Sequence, residues 1–582
     1  MRRKNNKPLL FLLFTFVLFA SFLFFLPRNI FFSREIYQTS TILGNHNLHL
    51  YLTIAATEDD IHRTFQHLSS SSSSRSSSSS VADPHTVSIL FPDWEVFLIL
   101  SQENHSSSDA DDGRYYCLFQ NNATSPAKSS GILPSTNATI FRCVLPGSVR
   151  RIRPFFQPIL TKRRQFWPWT ETESGPPELL RWGFLVYESL STEDDVILFA
   201  KGVNNRQGVN RSPSELRCVF GDGVITDVTS SYQEVFRCRH PDENALARLF
   251  QGGKEEKITI SLQLQVQRGN EEKKVVVPSV AYYTPLPRPA SQEGKSLLCA
   301  CTMVYDVAKF LKEWVLYHSK LGVDKFFLYD NMSDDGLLEV VSQLRRESHN
   351  ITTFLWPWPK TQEAGFSHCA MHAKDSCTWM MYIDVDEFVF SPSWLNSSYP
   401  STNMLRSFLP MSSTSRESLP VGQISIWCLE FGPSNQSSNP VQGVTQGYTC
   451  RRSEEQRHKS MLLLDAVDAS LVNVIHHFRL KEGYRGKSLS RNGAVVNHYK
   501  YQAWPEFKTK FRRRVSAYVV DWTEGVNPKS KDRTPGLGVT PVEPKGWANK
   551  FCEVNDTRLK WVTQRWFGFE SRTGFKMAWQ NQ

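Results

Sequence analysis

The spacing of apolar residues along the chain changes twice. Leu9 to Leu26 is apolar throughout except for Thr15 and Ser21. From about 86 to 285 the apolar residues come in short runs separated by Gly, Pro, Asn and Ser. These runs are Thr86–Phe91, Val96–Leu100, Val196–Ala200 and Ile258–Val266, the last alternating with period two. That pattern predicts strands, and the stretch reads as an all-β, sandwich-like domain. A Pro- and Ser-containing linker covers 286–295, and the period then changes. Leu297–Val304 predicts a buried strand. In Ala308–Leu321 the residues Phe310, Leu311, Trp314, Val315 and His318 share one helical face, and Gly322 ends the helix. A strand at Val323–Tyr329, a helix at Leu337–Arg346, a strand at Ile351–Trp356, a helix at Ala364–Trp379 and a strand at Met380–Ile383 follow. Alternating strands and helices predict an α/β fold with a mainly parallel, doubly wound sheet.

The first apolar run has 18 residues, about 27 Å of helix and enough for a thin bilayer. Arg2, Arg3, Lys4 and Lys7 precede it, so the N-terminus is expected in the cytoplasm and the rest in the lumen. A cleaved signal peptide is the competing reading. No Ala-x-Ala-like site follows the run, and Pro27-Arg28-Asn29 comes instead, which favours an uncleaved anchor. The expected order is a cytoplasmic tail at 1–8, a transmembrane anchor at 9–26, a stem at 27–85, the β-rich domain at 86–285, a catalytic domain at 296–525 and a C-terminal tail at 526–582 packing on it. The stem contains Ser69–Ser80, broken only by Arg75, a tract that buries too little to fold and acts as a spacer.

The net charge of +10 is partly local, at the N-terminus and at Arg512–Arg514. No basic stripe interleaved with aromatics exists, which excludes nucleic acid as the expected partner. Asn-x-Ser/Thr sequons at Asn104, Asn122, Asn137, Asn210, Asn331, Asn350, Asn396, Asn435 and Asn555 fit a secretory chain. Eleven cysteines leave at least one unpaired within the chain, and no Cys-x-x-Cys pair suggests structural zinc. Tyr116-Cys117 with Phe141-Arg142-Cys143 returns as Arg217-Cys218 with Phe236-Arg237-Cys238, a crude repeat that predicts the pairs 117–143 and 218–238. Trp94, Trp167 and Trp169 in this domain are candidates either for carbohydrate contact or for the core.

The candidate chemistry centres on Trp379-Met-Met-Tyr-Ile-Asp384-Val-Asp386-Glu387. Two carboxylates one residue apart, at the end of an apolar strand, make a hard-oxygen site suited to Mg²⁺ or Mn²⁺ on a diphosphate. Asp109-Ala-Asp111 has the same spacing in a Ser-rich polar stretch and reads as a solvated loop. The preceding buried strand is the difference, because a carboxylate at a core boundary is costly unless it is paired or bound to metal.

Several further stretches join this one in a single order. They are Glu313-Trp314, Tyr317-His318, Gly322-Val323, Tyr329-Asp-Asn-Met-Ser-Asp334, Gln362, His368-Cys369 and Tyr382–Phe388. Phe431-Gly-Pro-Ser434, Arg457-His-Lys459-Ser460, His476-His-Phe478 and Asn497-His-Tyr499 complete the set. Together they resemble glycosyltransferase family 92, in its plant branch, over about 298–511. The resemblance implies an A-type glycosyltransferase fold, a metal ion (Mn²⁺ or Mg²⁺), inversion at the anomeric carbon and UDP-galactose as donor. It also implies a polysaccharide or glycan acceptor, as in relatives that extend β-1,4-galactan or galactosylate N-glycans, and a Golgi membrane location. A homodimer is among the assemblies this reading admits. Two departures stand out: Asn435 replaces an expected Gly after Phe431-Gly-Pro-Ser434, and Met332 replaces an expected Asn.

Within this reading Asp384 and Asp386 hold the ion, with His498 as third ligand and His477 as second choice. Asp330, Asn331 and Lys459 are assigned to the donor; an Asx turn and an exposed surface lysine are the plainer alternatives. The base that takes the acceptor proton is sought among Glu430, Asp465 and Glu363. Glu387 positions the turn, and Gln362, His368, Cys369 and Trp379 are architecture. The rival readings are a catalytically inactive, membrane-anchored carbohydrate-binding protein and a hydrolase. Paired catalytic carboxylates in hydrolases stand about 5–9 Å apart across the bond, which Asp-x-Asp does not favour. A glycan on Asn331 would block the donor pocket. Glycopeptide mapping is therefore expected to find Asn331 unmodified, and occupancy there would count against that pocket.

Overall fold

The structure, a computed structural model, describes residues 86–100, 115–162, 166–168, 177–204, 209–221, 223–249, 258–268, 271–284, 294–410, 419–509, 543–572 and 574–580. The expected anchor and stem, Asp109–Asp111, Trp169, most of the 286–295 linker and Arg512–Arg514 lie outside them. Among the described residues no helix is long and apolar enough to cross a membrane.

The β-rich half holds two mainly antiparallel sheets built on one plan. In the first, strands Thr86–Leu90, Glu95–Leu100, Tyr115–Leu118, Thr124–Leu133, Ala138–Val144 and Ile159–Thr161, lettered a to f, lie in the spatial order f-c-d-e-b-a. In the second, Leu185–Ser191, Val196–Lys201, Leu216–Phe220, Val224–Tyr232, Val235–Cys238 and Ile258–Arg268 repeat that order. In both, strand d switches partner halfway. Thr124–Ala127 pairs with c and Lys128–Leu133 with e, as do Val224–Asp227 and Val228–Tyr232. A disulfide joins c to e in each copy, Cys117–Cys143 and Cys218–Cys238. The short cysteine repeat in the sequence thus marks a duplicated six-strand unit.

The continuous apolar runs are strands buried on both faces. Val96, Leu98 and Leu100 enter a core with Cys117, Phe141 and Cys143, while Phe97 and Ile99 enter another with Tyr187, Phe327 and Trp358. Val196, Leu198 and Ala200 likewise join Phe220 and Phe236, while Ile197 and Phe199 join that same second cluster. Trp94 is half-buried, edge-on to Phe155 at 6.1 Å with Arg150 over its ring at 5.1 Å, and so packs on the first sheet's core.

The α/β half is a mixed sheet. Its strands are β1 (Ser296–Val304), β2 (Lys325–Asp330), β3 (Ile351–Leu355), β4 (Cys377–Tyr382), β5 (Glu387–Phe390), β6 (Val421–Phe431), β7 (Cys450–Leu463) and β8 (Val495–His498). They lie in the order β3-β2-β1-β4-β7-β6-β8-β5. The first four are parallel; β7 runs antiparallel to both β4 and β6, and β5 antiparallel to β8. The expected mainly parallel sheet therefore holds for one half only; in the other half β7 runs against both β4 and β6, and β5 against β8. Helices α1 (Ala308–Leu321) and α2 (Leu337–Arg346) cover one face, with Leu298 and Ala300 of β1. Helix α3 (Gln362–His372) covers the other, with Cys299 and Cys301. The helix expected over Ala364–Trp379 stops early because Cys377 is already in β4, opposite Ser296 and bonded to Cys299. Cys301–Cys369 ties β1 to α3, and Cys428 keeps a free, buried thiol.

The α3 face is also where the β-rich half docks. Trp182 stacks on Trp358 at 5.9 Å with 3° between the rings. Gln233 Nε2 donates to Asn473 O at 2.8 Å, and Arg237 donates to Ala469 O at 2.9 Å. At the C-terminus, helix α4 (Arg558–Phe567) lays Leu559, Val562 and Phe567 into the α1 core, joined by Met577 and Trp579. Cys450–Cys552 and buried Asp556, which accepts from Arg451 and Arg558 at 2.7 Å each, fasten this tail to β7.

Burial opposes ionisation of Asp556, but hydrogen bonds from Arg558 and Arg451 hold its carboxyl at about 2. A depressed carboxyl stabilises the fold fully above its unfolded value, near 4, and loses that contribution as pH falls toward about 2. Asp556→Asn is expected to cost about 2 kcal/mol at neutral pH and to match the wild type below about pH 2. Denaturant midpoints measured across pH check this.

Candidate active site

The order of strands reverses between β1 and β4, the switch point where open α/β sheets bind ligands beyond their carboxyl ends. Asp384 follows β4 at this edge, and Asp330 ends β2 two strands away. A clasp closes the acidic turn: Asp384 N donates to Glu387 Oε2 at 2.8 Å, and Glu387 N donates to Asp384 O at 3.0 Å. Helix α1 braces it from behind. Trp314 Nε1 donates to Glu387 O at 3.1 Å, and the Tyr317 hydroxyl to Val389 O at 2.6 Å. Glu313 turns the other way. Its carboxylate accepts from Val444 N, Thr445 N and the Thr445 hydroxyl at 2.8, 3.0 and 2.6 Å, fixing the loop between β6 and β7. Gly443 (φ 102°) starts that turn, and a Cβ there would stand 2.5 Å from Glu313 Oε2.

One oxygen each from Asp384, Asp386 and Glu387 lie within 4.8 Å of one another. Lys459, one residue beyond the position opposite Tyr382, sits among them and is only 6% exposed, so it is no surface lysine. Its Nζ lies 2.9 Å from Asp384 Oδ2 and 2.7 Å from Glu387 Oε1, and it donates to His476 Nε2 at 2.5 Å. Burial opposes charge on Lys459, but Asp384 and Glu387 outweigh it and raise the ammonium's pKa. Burial also opposes charge on Asp384, yet Lys459 brings its carboxyl down to about 2. Burial pushes Glu387 up, with Lys459 pulling back. His476 is held well below its usual range by burial and by Lys459, so the ring is neutral.

Three carboxylates against one ammonium leave an excess of negative charge suited to a divalent ion. His498 sits level with Glu387 on β5 and Glu430 on β6. Its Nε2 is buried, has no hydrogen-bond partner and faces Asp386 Oδ2 at 3.5 Å. An imidazole nitrogen and a carboxylate oxygen facing without a hydrogen bond fit two ligands of one cation bound at about 2.0–2.2 Å. Asp386 shares one carboxylate cluster with Asp384 and faces His498, and this nitrogen-and-oxygen donor chemistry suits Mn²⁺ or Mg²⁺. Cys428 lies behind it, its sulfur within 4.8 Å of ligand atoms of Glu387 and His498.

The other expected residues divide. His477 contacts His458 Nδ1 at 2.5 Å and His458 O at 3.0 Å; it is the neighbouring His476 that approaches Asp384 Oδ2, at 3.6 Å. Asp330 Oδ1 accepts from Ser333 N at 2.9 Å, three residues on, so its side chain closes the turn after β2. Asn331 Nδ2 donates to Trp356 O at 2.6 Å, so the nitrogen that would carry a glycan is engaged with the main chain. Glu430 stands beside His498, with Lys500 at 2.6 Å and Arg452 at 3.4 Å. Burial opposes its ionisation, but Lys500, His498 and Arg452 bring its pKa down. Asp465 stands apart. It is exposed, beyond Leu463 at the end of β7 that lies beside the start of β4, opposite from the acidic turn. Glu363, on the first turn of α3, faces Glu234 and Lys201 of the β-rich half; burial raises its carboxyl, and Glu234 adds to this.

Comparison with known proteins gives a consistent family. The family model described as Glycosyltransferase family 92 matches residues 295–533. A glycosyltransferase family 92 protein of Ricinus communis is 39% identical over 493 residues, covering 81% of this chain and 81% of its own length. One from Arabidopsis thaliana is 43% identical over 410 residues, covering 69% of each. Among solved structures, the chain is similar to mannosyltransferase PcManGT from Pyrobaculum calidifontis in complex with GDP-Man and Mn²⁺. The TM-score is 0.23 at 10% identity, covering 40% of this chain and 65% of that one, too weak to bear on function.

Removing one partner of a buried ion pair leaves an uncompensated charge, at about 3–5 kcal/mol. Lys459→Met is expected to destabilise the chain by about that much, and Glu387→Gln in the same chain to recover part of the loss. A double-mutant cycle read by denaturant unfolding measures the coupling.

Proposed function

The chain belongs to glycosyltransferase family 92, and from that premise we propose that it transfers a hexose, galactose from UDP-galactose, onto a cell-wall polysaccharide or glycan with inversion. The reaction takes place in the Golgi lumen, with Leu9–Leu26 as a single-pass type II anchor. Five disulfides and the many sequons support a secretory setting. The observation that carries the reading is the carboxylate cluster with His498 Nε2 facing Asp386 at the carboxyl edge of the sheet.

Asp384, Asp386 and His498 would hold the ion. When bound, it neutralises charge developing on the departing UDP as a Lewis acid. Lys459 stays protonated and keeps Asp384 ionised, so the site is charged for a cation throughout the working pH range. Glu387 holds the turn through main-chain bonds and is itself buried, so it shapes the site rather than touching substrate. Asp330 and Asn331 form the rim on the β2 side, where a nucleoside would rest. Glu430 is the one of the three expected carboxylates on a strand end beside His498, and we assign it the proton of the acceptor hydroxyl. Lys500 and Arg452 keep it ionised, the form a base requires.

The pairing of Lys459 with Asp384 favours one rival, a carbohydrate-binding protein whose acidic turn is neutralised internally. One assay separates the two. Mn²⁺-dependent UDP release from UDP-galactose is expected from the wild type, and Asp384→Asn with Asp386→Asn is expected to lower it by about 100-fold or more. No release from any UDP-sugar, across several acceptors, would favour the rival. Full activity in the double variant would remove the ion assignment.

A further inference from the structure

A cleft of about 550 Å³ opens between the loop that leaves β6 and the C-terminal segment 575–580. Gln436, Pro440, Gln442 and Gln446 line it from the loop, and Phe575 and Gln580 from the tail. Each carboxamide offers both a donor and an acceptor, the pairing that vicinal hydroxyls match. A phenyl ring and a proline supply the apolar wall that the C–H face of a pyranose needs. Lys576 is the one charged residue in the lining, which holds no carboxylate. That chemistry suits a neutral sugar chain better than a phosphate or a polyanion.

The amides are held in place before anything binds. Gln446 Nε2 donates to Thr563 Oγ1 at 2.7 Å and to Lys560 O at 3.3 Å. Gln580 Oε1 accepts from Met577 N at 2.7 Å, and its Nε2 donates to Val441 O at 3.2 Å. Gln446 is only 4% exposed, yet its Oε1 has no hydrogen-bond partner. A buried acceptor left unpaired costs about 1–3 kcal/mol, so this carboxamide is a polar group the fold leaves unsatisfied at the floor of the cleft. The loop is one residue from Glu430, and helix α1 braces both places: Glu313 holds Val444 and Thr445, while Trp314 and Tyr317 hold Glu387 and Val389 of β5, which follows the acidic turn.

We infer that this cleft is a second glycan-binding site, for a neutral oligosaccharide. Two sources share that chemistry: a distal stretch of the acceptor chain, and an N-glycan on exposed Asn435, whose sequon includes the cleft residue Gln436. Only the acceptor source rests on the transfer reaction proposed above, and binding is measured without donor.

The test is affinity electrophoresis of the full-length chain in detergent through gels containing soluble β-1,4-galactan, xyloglucan or galactomannan. Gln436→Ala with Gln442→Ala is expected to weaken retardation in at least one polysaccharide by about tenfold. Val441→Trp, a rim substitution at a residue 86% exposed and so tolerant of change, is expected to do the same by blocking the mouth. With a long acceptor the double variant is expected to raise KM by about tenfold and leave kcat unchanged. Asn435→Gln that tightens binding assigns the cleft to the chain's own glycan; unchanged binding assigns it to the acceptor. Retardation that is absent for the wild type in all three gels, or equal in wild type and both variants, overturns the site. Normal retardation, lost in the variants, beside absent UDP release would sink the transfer reaction and keep the cleft.

Discussion

A single buried ammonium organises the acidic edge of this sheet. Lys459 sits within 3 Å of Asp384 and Glu387, between a strand that ends and one that begins. Burying several carboxylates together is prohibitive without a counter-charge, and an ammonium on a neighbouring strand supplies one independent of solution conditions. It also sets a limit: with one positive charge among three carboxylates, the site remains short of neutrality. A cation bound there would complete the charge balance of a group that is already folded, rather than assemble it. His476, neutral and accepting from the same ammonium, adds a polar wall without adding charge.

The brace behind this edge comes from residues whose sequence pattern reads as an ordinary amphipathic helix. Glu313, Trp314 and Tyr317 lie on buried positions of α1, and all three spend their polar atoms on the turn and loop that frame the site. The helix is therefore core and positioning device together. Displacing it would shift the acidic turn and the loop after β6 in concert.

Much of this was legible from residue order. The apolar strand before Asp384 and Asp386 distinguished them from Asp109 and Asp111, and Val495-Val496 marked His498 as the end of a buried strand. Lys459 was harder, since the polar run Arg452–His458 looks solvated and nothing local signals that the next side chain turns inward. His476 and His477 are adjacent, and a two-residue strand carries no period by which to choose between them. The duplicated sheets were visible only as matching cysteines, because a strand that changes partner midway keeps the same alternation on both halves. Antiparallel pairing in the outer part of the mixed sheet was not legible either, since periodicity reports burial and says nothing of direction.

The strands that contribute alternate residues to two different cores have a consequence for the history of the chain. Phe97, Ile99, Ile197 and Phe199 share one apolar cluster with Phe327, Tyr329, Phe366 and Met380. Neither half therefore has a wettable surface at the join, and a gene fragment encoding one half would present a greasy plane to water. A half expressed alone is therefore expected to clump where the whole chain stays dispersed.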